Sequence, residues 1–391
     1  MALPSPEARF EGAEVEILVR CARGALTPES SARIGELVAA GIDWKALFAL
    51  AGTHAMMPLL HRHLGAARGI PRAAQVEMWG RHEATARENR RMTDELARIV
   101  DALAAAGIAA LPYKGPTLAL FLYGDVALRE YCDLDILIRP RDVLRAKKVL
   151  GGLGYAAEYP LEAGVEKAFL RASSQYHLGM HGPRGIAVEL HWKTDAGFPV
   201  ERDDDAWWSA REFSARELLL VLCLHGSKHG WERLSWIADV AEMVRRHPGM
   251  DWVWIFERSA ALGCTRRLAL GLNLAHGLLD APLPEAVRFE VAEPRVAAIA
   301  REIRERLFTD ANVFREGAPA LRFNLALYER TRDRVAHVYN TLMAPSLVEW
   351  TRWPLPRALY FLYPPLRLAR LAAKYSRRGA AQRPAAPVKP A

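Results

Sequence analysis

Apolar residues recur every three or four positions along residues 14–104. "AEVEILVRCARG", "SARIGELVAAG", "DWKALFALAGTHAMMPLLHRHL" and "AAQVEMWGRHEATARENRRMTDELARIVDALAAAG" all show this spacing, which predicts amphipathic helices. Gly107 is placed to end the last of them. The period then shortens. "IAALPY" (108–113) reads as a strand, and Lys114-Gly115-Pro116 as a turn that opens a helix through "TLALFLYG". "REYCDLDILIRP" is a second strand, stopped by Pro140, and "RDVLRAKKVLGGLGY" is a helix ending in glycines. "SSQYHLGMH", the turn "GPRG" and "IAVELHWKT" predict a β-hairpin. From residue 214 the helical period returns in "ARELLLVLCLHGSKHG", "RLSWIADVAEMVRR", "WVWIFERSAALG" and "TRRLALGLNLAHGLL", and it continues through 285–345. Residues 346–375 are rich in aromatics, proline and arginine, and the double proline at 364–365 is expected to break any long helix there. Residues 356–378 admit a membrane-surface helix, but a segment packing back onto the protein is the preferred reading.

Side chains alternate faces along a strand. In 132–138, Asp133, Asp135 and Leu137 therefore share one face, and Leu134, Ile136 and Ile138 the other. In 186–192, Ile186, Val188, Leu190 and Trp192 share one face, and Glu189 and His191 the opposite one. If these two strands are sheet neighbours, Asp133, Asp135 and Glu189 converge. The apolar run around the aspartates argues against a solvated edge strand.

Composition narrows the picture. The 391 residues are 51% hydrophobic and 25% charged, an ordinary globular balance with room for two or three domains. No run of about 18 uncharged apolar residues appears, so no transmembrane helix is expected. The N-terminus lacks a basic region followed by an apolar one, so no secretory signal is expected and the cytoplasm is the anticipated compartment. Cys21, Cys132, Cys223 and Cys264 lie far apart in apolar segments and read as reduced core residues. The tryptophans of "AWWSARE" and "DWVWIFE" likewise read as core. A net charge of +8 favours polyanionic partners, although a triphosphate alone would account for a basic cleft. Part of the excess lies in the tail "KYSRRGAAQRPAAPVKPA".

Three clustered carboxylates repel one another unless a cation neutralises them. Oxygen-only donors suit Mg²⁺ or Mn²⁺, which bind through a few carboxylates and substrate phosphates. Lys114-Gly115 at a helix start offers a positive charge and backbone N–H groups to phosphate. Arg129, four residues before Asp133, is placed either to pair with the acids or phosphate or to form a structural salt bridge. His225 and His229 share a helix face with Lys228 beside them. They read as nucleotide contacts or as a plain helix end, and no Glu follows His225 to make an HExxH zinc motif. Asp239, inside an apolar helix, is expected to pair with Arg233 or Lys228, or to reach the cleft. His191 lies on the Glu189 face; His177 and His181 read as structural or surface residues. No GxxxxGK[ST] loop and no HRD or DFG set is present, which counts against a kinase.

The order strand, Lys-Gly turn, helix, R-x₃-DxD strand, helix, hairpin, Glu resembles the DNA polymerase β-like nucleotidyltransferase superfamily. More closely, "LPYKGPTLALFLYGDVALREYCDLDILI", "VELHWKT" and "LHGSKHGWERLSWIADV" resemble a bacterial family of uncharacterised nucleotidyltransferases, over residues from about 40 to 375. The resemblance implies an α+β fold: a polymerase β-like core with a small mixed sheet and flanking helices, plus helical N- and C-terminal regions. It divides the chain into a helical region (1–104), a nucleotidyltransferase core (105–213), a C-terminal helical domain (214–345), an aromatic and basic segment (346–376) and a disordered basic tail (377–391). By resemblance Asp133 and Asp135 hold Mg²⁺ or Mn²⁺, Glu189 is the third carboxylate, and a nucleotide such as ATP is bound. Lys114, Gly115, Arg129, Lys228, His225 and His229 are the residues placed to contact the nucleotide. The pattern departs from the superfamily at one point: Lys114-Gly115 stands where a Gly-Ser turn is usual. The expected reaction moves a nucleoside monophosphate from an NTP to a hydroxyl of a small molecule, sugar, peptide, protein or RNA. The alternative is a non-catalytic relative that binds a nucleotide, protein or nucleic acid. The sequence leaves the acceptor, the base and the oligomeric state open.

Overall fold

The structure, a computed structural model, describes residues 12–65, 67, 69–161, 163–171, 177–194, 208, 212–309 and 317–381. The α+β class read from the sequence is the class observed: a five-stranded mixed sheet flanked by helices. Residues 1–157 and 177–329 form one compact unit, and residues 158–176 and 330–391 form a second.

The first unit begins with four helices, α1 (Ala13–Cys21), α2 (Pro28–Ala40), α3 (Trp44–Thr53) and α4 (Met57–Leu64), followed by the long α5 (Arg72–Ala105). Gly107, at φ 67°, turns the chain out of α5 as expected. Strand β1 (Ala110–Pro112) leads to α6 (Gly115–Tyr123), β2 (Asp133–Ile138), α7 (Val143–Gly152) and β3 (Ala156–Ala157). The hairpin β4 (His177–His181) and β5 (Ala187–His191) follows. Helices α9 (Ala215–Lys228), α10 (Leu234–Arg246), α11 (Trp252–Leu262), α12 (Thr265–Leu279), α13 (Glu285–Val291), α14 (Pro294–Arg306) and α15 (Gly317–Leu327) complete the unit.

The sheet order is β1-β2-β5-β4-β3. Strands β2 and β5 are parallel; the other neighbours are antiparallel. The aspartates lie on a covered face, because Leu137, which shares it, joins the main core with residues of α1–α6, α9, α10 and α12. Burial deepens along β2 from half-buried Asp133 to Asp135 and fully buried Leu137.

Two local devices hold elements near this face. Gly115 has φ 54°, and a Cβ there would lie 3.2 Å from the Asp133 carbonyl oxygen. Only glycine lets the start of α6 approach β2 so closely at that backbone angle. At the end of α9 the chain turns through Gly230 and Trp231, both with positive φ. Trp231 folds its ring back over Gly226 and Gly271, where a Cβ would meet the indole at 2.4 Å and 3.0 Å. This glycine-lined slot fixes the turn that carries Lys228 and His229.

In the second unit α8 (Ala163–Arg171) belongs with α16 (Thr331–Leu342), α17 (Leu347–Arg352) and α18 (Tyr363–Ala381). The double proline does not break the last helix. Pro364 and Pro365 sit in its first turn, where the missing N–H groups would have had no helical partner. Its Arg367 and Arg370 pair with Glu349, a fully buried acid of α17, and Arg367 also donates to the Thr341 carbonyl at 2.8 Å. The segment thus packs onto α16 and α17 of its own unit. Helix α18 covers residues 377–381 of the expected basic tail; the rest of that tail lies outside the described residues. No helix among the described residues is long and apolar enough to cross a membrane.

Two sequence expectations need correction here. Cys132 is exposed, unlike the other three cysteines, because it precedes β2 rather than lying within it. The tryptophans are mixed: Trp208 is buried, whereas Trp252 and Trp254 of α11 are half-buried, with the Arg216 guanidinium 4.2 Å above the Trp254 ring.

Candidate active site

The register of the sheet brings the predicted carboxylates together. In the β2–β5 pair Asp135 stands opposite Glu189 and Leu137 opposite His191. In the β4–β5 pair His177 stands opposite His191, and Gly179 opposite Glu189. Asp133, Asp135, Glu189, His191 and His177 therefore share one face.

A short ionic chain runs across these strands. Lys114 at the start of α6 places Nζ 3.2 Å from Asp135 Oδ1. His191 Nε2 lies 2.9 Å from the same oxygen and 3.1 Å from Glu189 Oε2. His177 Nε2 lies 3.6 Å from Glu189 Oε1. The His191 ring meets Tyr113 edge-on at 5.5 Å, and the Lys114 ammonium lies 5.1 Å from that same Tyr113 ring.

The charges are unevenly compensated. Burial would raise the Asp135 carboxyl, but the Lys114 charge and the His191 hydrogen bond hold it well below the usual carboxylate range. Burial opposes ionisation of Glu189 too, and the His191 hydrogen bond and the neighbouring imidazoles win, so its pKa is lowered. Asp133 goes the other way: burial, then the charges of Asp135 and Glu189, push it up to about 6. Desolvation alone would depress His191, but the two carboxylates that accept from it raise it. His177, desolvated, is lowered to about 4.

Carboxylate oxygens are the donors that hard divalent cations take. Lys114 and His191 serve Asp135, and Asp133 is left as a half-buried carboxylate with excess negative charge beside it. A cation held by Asp133, Asp135 and Glu189 would relieve that excess.

The remaining predicted residues are distributed more loosely. His225 is close enough for its charge to lower Asp135, and Lys228 close enough to lower His177. Lys228 is exposed; the His225 and His229 rings, 4.7 Å apart, both lie against Trp236, at 5.4 Å and 5.2 Å. Arg129 is drawn into a different partnership. Its Nε donates to Asp239 Oδ2 at 2.9 Å, and Tyr123 donates to Asp239 Oδ1 at 3.0 Å. Asp239 thus pairs with Arg129 rather than with Arg233 or Lys228, because α10 packs against α6 and the loop that follows it. The Arg129 charge still reaches the site, where it lowers Asp133. That loop is pinned by Asn89 of α5, which donates to the carbonyls of Val126 and Arg129 at 2.6 Å and 2.8 Å.

Two histidines accompany the acids. His177, read from the sequence as structural or surface, stands half-buried beside Glu189, and His191 lies on the Glu189 face as expected. His191 is fully buried. Strand parity from Glu189 points to His191, but His177 joins only through the hairpin register. His181, at the far end of β4, is exposed.

A family model described as uncharacterised nucleotidyltransferase matches residues 40–280. No curated protein and no solved structure matches the chain.

Proposed function

The chain belongs to the uncharacterised nucleotidyltransferase family, and on that premise we propose that it transfers a nucleoside monophosphate from an NTP to an acceptor hydroxyl. The observation that carries the reading is the β2–β5 register, which sets Asp135 opposite Glu189 with Asp133 on the same face. Mg²⁺ or Mn²⁺ held by Asp133, Asp135 and Glu189 would neutralise the triphosphate and polarise the α-phosphoryl group.

The chain's own groups do the rest. Lys114 and the N-terminal N–H groups of α6 face the phosphates with positive charge, and Gly115 keeps that helix end against β2. Lys228, with His225 and His229 on the same helix end, adds contacts from the helical side. The acceptor oxygen attacks the α-phosphorus as the bond to the β-phosphate oxygen breaks and pyrophosphate leaves. Glu189, more exposed than Asp135 on this face, takes the hydroxyl proton. Lys114 and His191 keep Asp135 ionised throughout.

The test uses α- and γ-labelled NTPs with Mg²⁺ or Mn²⁺ and a lysate from the source organism. Label from the α position should enter a product, and Asp133→Asn with Asp135→Asn should abolish this while leaving circular dichroism unchanged. Transfer of γ label, or full activity in the double variant, would overturn the reading. No transfer with any metal or base would leave a binding protein in its place.

A further inference from the structure

We propose that His177, Glu189 and His191 form a second divalent-metal site, selective for a first-row transition ion such as Zn²⁺ or Co²⁺, beside the Asp133–Asp135 pair. One ligand atom from each of the three side chains can be chosen so that all lie within 4.8 Å of one another. The separations are 3.1 Å from His191 Nε2 to Glu189 Oε2 and 3.6 Å from His177 Nε2 to Glu189 Oε1. Donors bonded at ~2.1 Å to one ion stand roughly 3–4 Å apart, so the groups need little movement to share one; His191 Nε2 gives up its proton as the ion binds.

The scaffold supports this. All three residues project from the paired strands β4 and β5, where His177 and His191 are direct cross-strand partners. His191 is buried, whereas His177 and Glu189 keep 30% and 32% of their side chains exposed, so an ion can enter from solvent.

Donor chemistry sets the selectivity. Two imidazoles and one carboxylate suit transition ions, whereas Mg²⁺ prefers oxygen donors. Three protein ligands leave positions open for water or a phosphate oxygen. His191 Nε2 also lies 2.9 Å from Asp135 Oδ1, so the site adjoins the carboxylate pair. It would present a second ion of different chemistry to the same triphosphate. This role rests on the nucleotidyl-transfer reading; the site itself does not.

Co²⁺ titration of the full chain, followed by its visible ligand-field absorption, tests the site without any turnover. One equivalent should bind, be displaced by Zn²⁺, and persist in a large excess of Mg²⁺. His177→Ala should weaken binding by more than the ~10–100-fold that loss of an outer-sphere partner costs. His177→Asp, which restores a donor, should recover part of the signal, and Asp133→Asn should keep it. Absence of a Co²⁺ band, displacement by Mg²⁺, or binding indifferent to His177→Ala would overturn the proposal. Failure of label transfer with Co²⁺ binding intact would overturn the enzymatic reading alone.

Discussion

Asp133 and Asp135 are interchangeable in a period-two pattern but opposite in physical state. Asp135 is ionised because Lys114 and His191 serve it; Asp133 is the uncompensated one, raised to about 6. The folded chain therefore binds a proton at Asp133 more readily than the unfolded chain does. Stability from that proton is present below the ordinary carboxyl pKa and is lost as pH rises through about 6. At pH 7 in EDTA, Asp133→Asn should raise Tm, by an amount corresponding to at most about 3 kcal/mol. Asp135→Asn should lower it, since the buried Lys114 ammonium loses its counter-charge. Both should abolish transfer, and added Mg²⁺ should lift Tm in the wild type but not in either variant. Differential scanning calorimetry checks the signs. The shared face was legible because side-chain alternation is local. Which aspartate receives the cations was not, because Lys114 and His191 arrive from other elements.

At the scale of elements, the helix starts carry the tightest constraints. Gly115→Ala would place a Cβ 3.2 Å from the Asp133 carbonyl at φ 54°, a conformation that costs an L-residue about 1–2 kcal/mol. The expected outcome is a lower Tm together with a raised KM for NTP, measured by steady-state kinetics, because α6 must withdraw from β2. Arg129 presents a different case. Arg129→Met would strand buried Asp239, a loss of about 3–5 kcal/mol, whereas Arg129→Met with Asp239→Leu should recover much of it. Urea titration of the single and double variants measures the coupling. The period of apolar residues located these helices and strands well. It did not reveal the indole of Trp231 lodged against Gly226 and Gly271, since that contact joins α9 and α12 and leaves no local pattern. Pro364 and Pro365 show the reverse failure: a local rule about breaking helices, where the tertiary outcome is a helix that begins there.

Across the whole molecule, histidines with lowered pKa weaken the fold toward acid pH. His54 accepts the Leu234 N–H on Nδ1 at 3.3 Å, and burial, with the Arg233 charge, lowers it to about 4. His61, His63 and His247 are also lowered by burial. The unfolded chain protonates these rings near pH 6.5, whereas the folded chain resists. Their stability is therefore present above that value and is lost as pH falls toward about 4. His177, lowered to about 4, joins them; the raised carboxyls of Asp133, Glu130 and Asp239 and the raised His191 imidazole act with the opposite sign. The lowered histidines are the larger set by one, so a small fall in Tm is expected between pH 7 and pH 5, with net proton uptake on unfolding in calorimetry. The positive net charge of +8 grows on acidification and adds to the effect. Composition displayed the charge, but not which histidines are buried. Nor does chain order show that residues 158–176 group with 330–391, since such contacts span distant segments. One feature of the sheet governs how the site comes into being. The parallel pairing of β2 with β5 joins strands separated in sequence by α7, β3, α8 and β4. Contacts of such high order form late, after loop closure has been overcome. A nascent chain thus exposes its paired aspartates well before Glu189 has been synthesised. The acids of the shared face come together only once β5 has been made and has paired with β2, about midway along the chain, with the later helices still to be added.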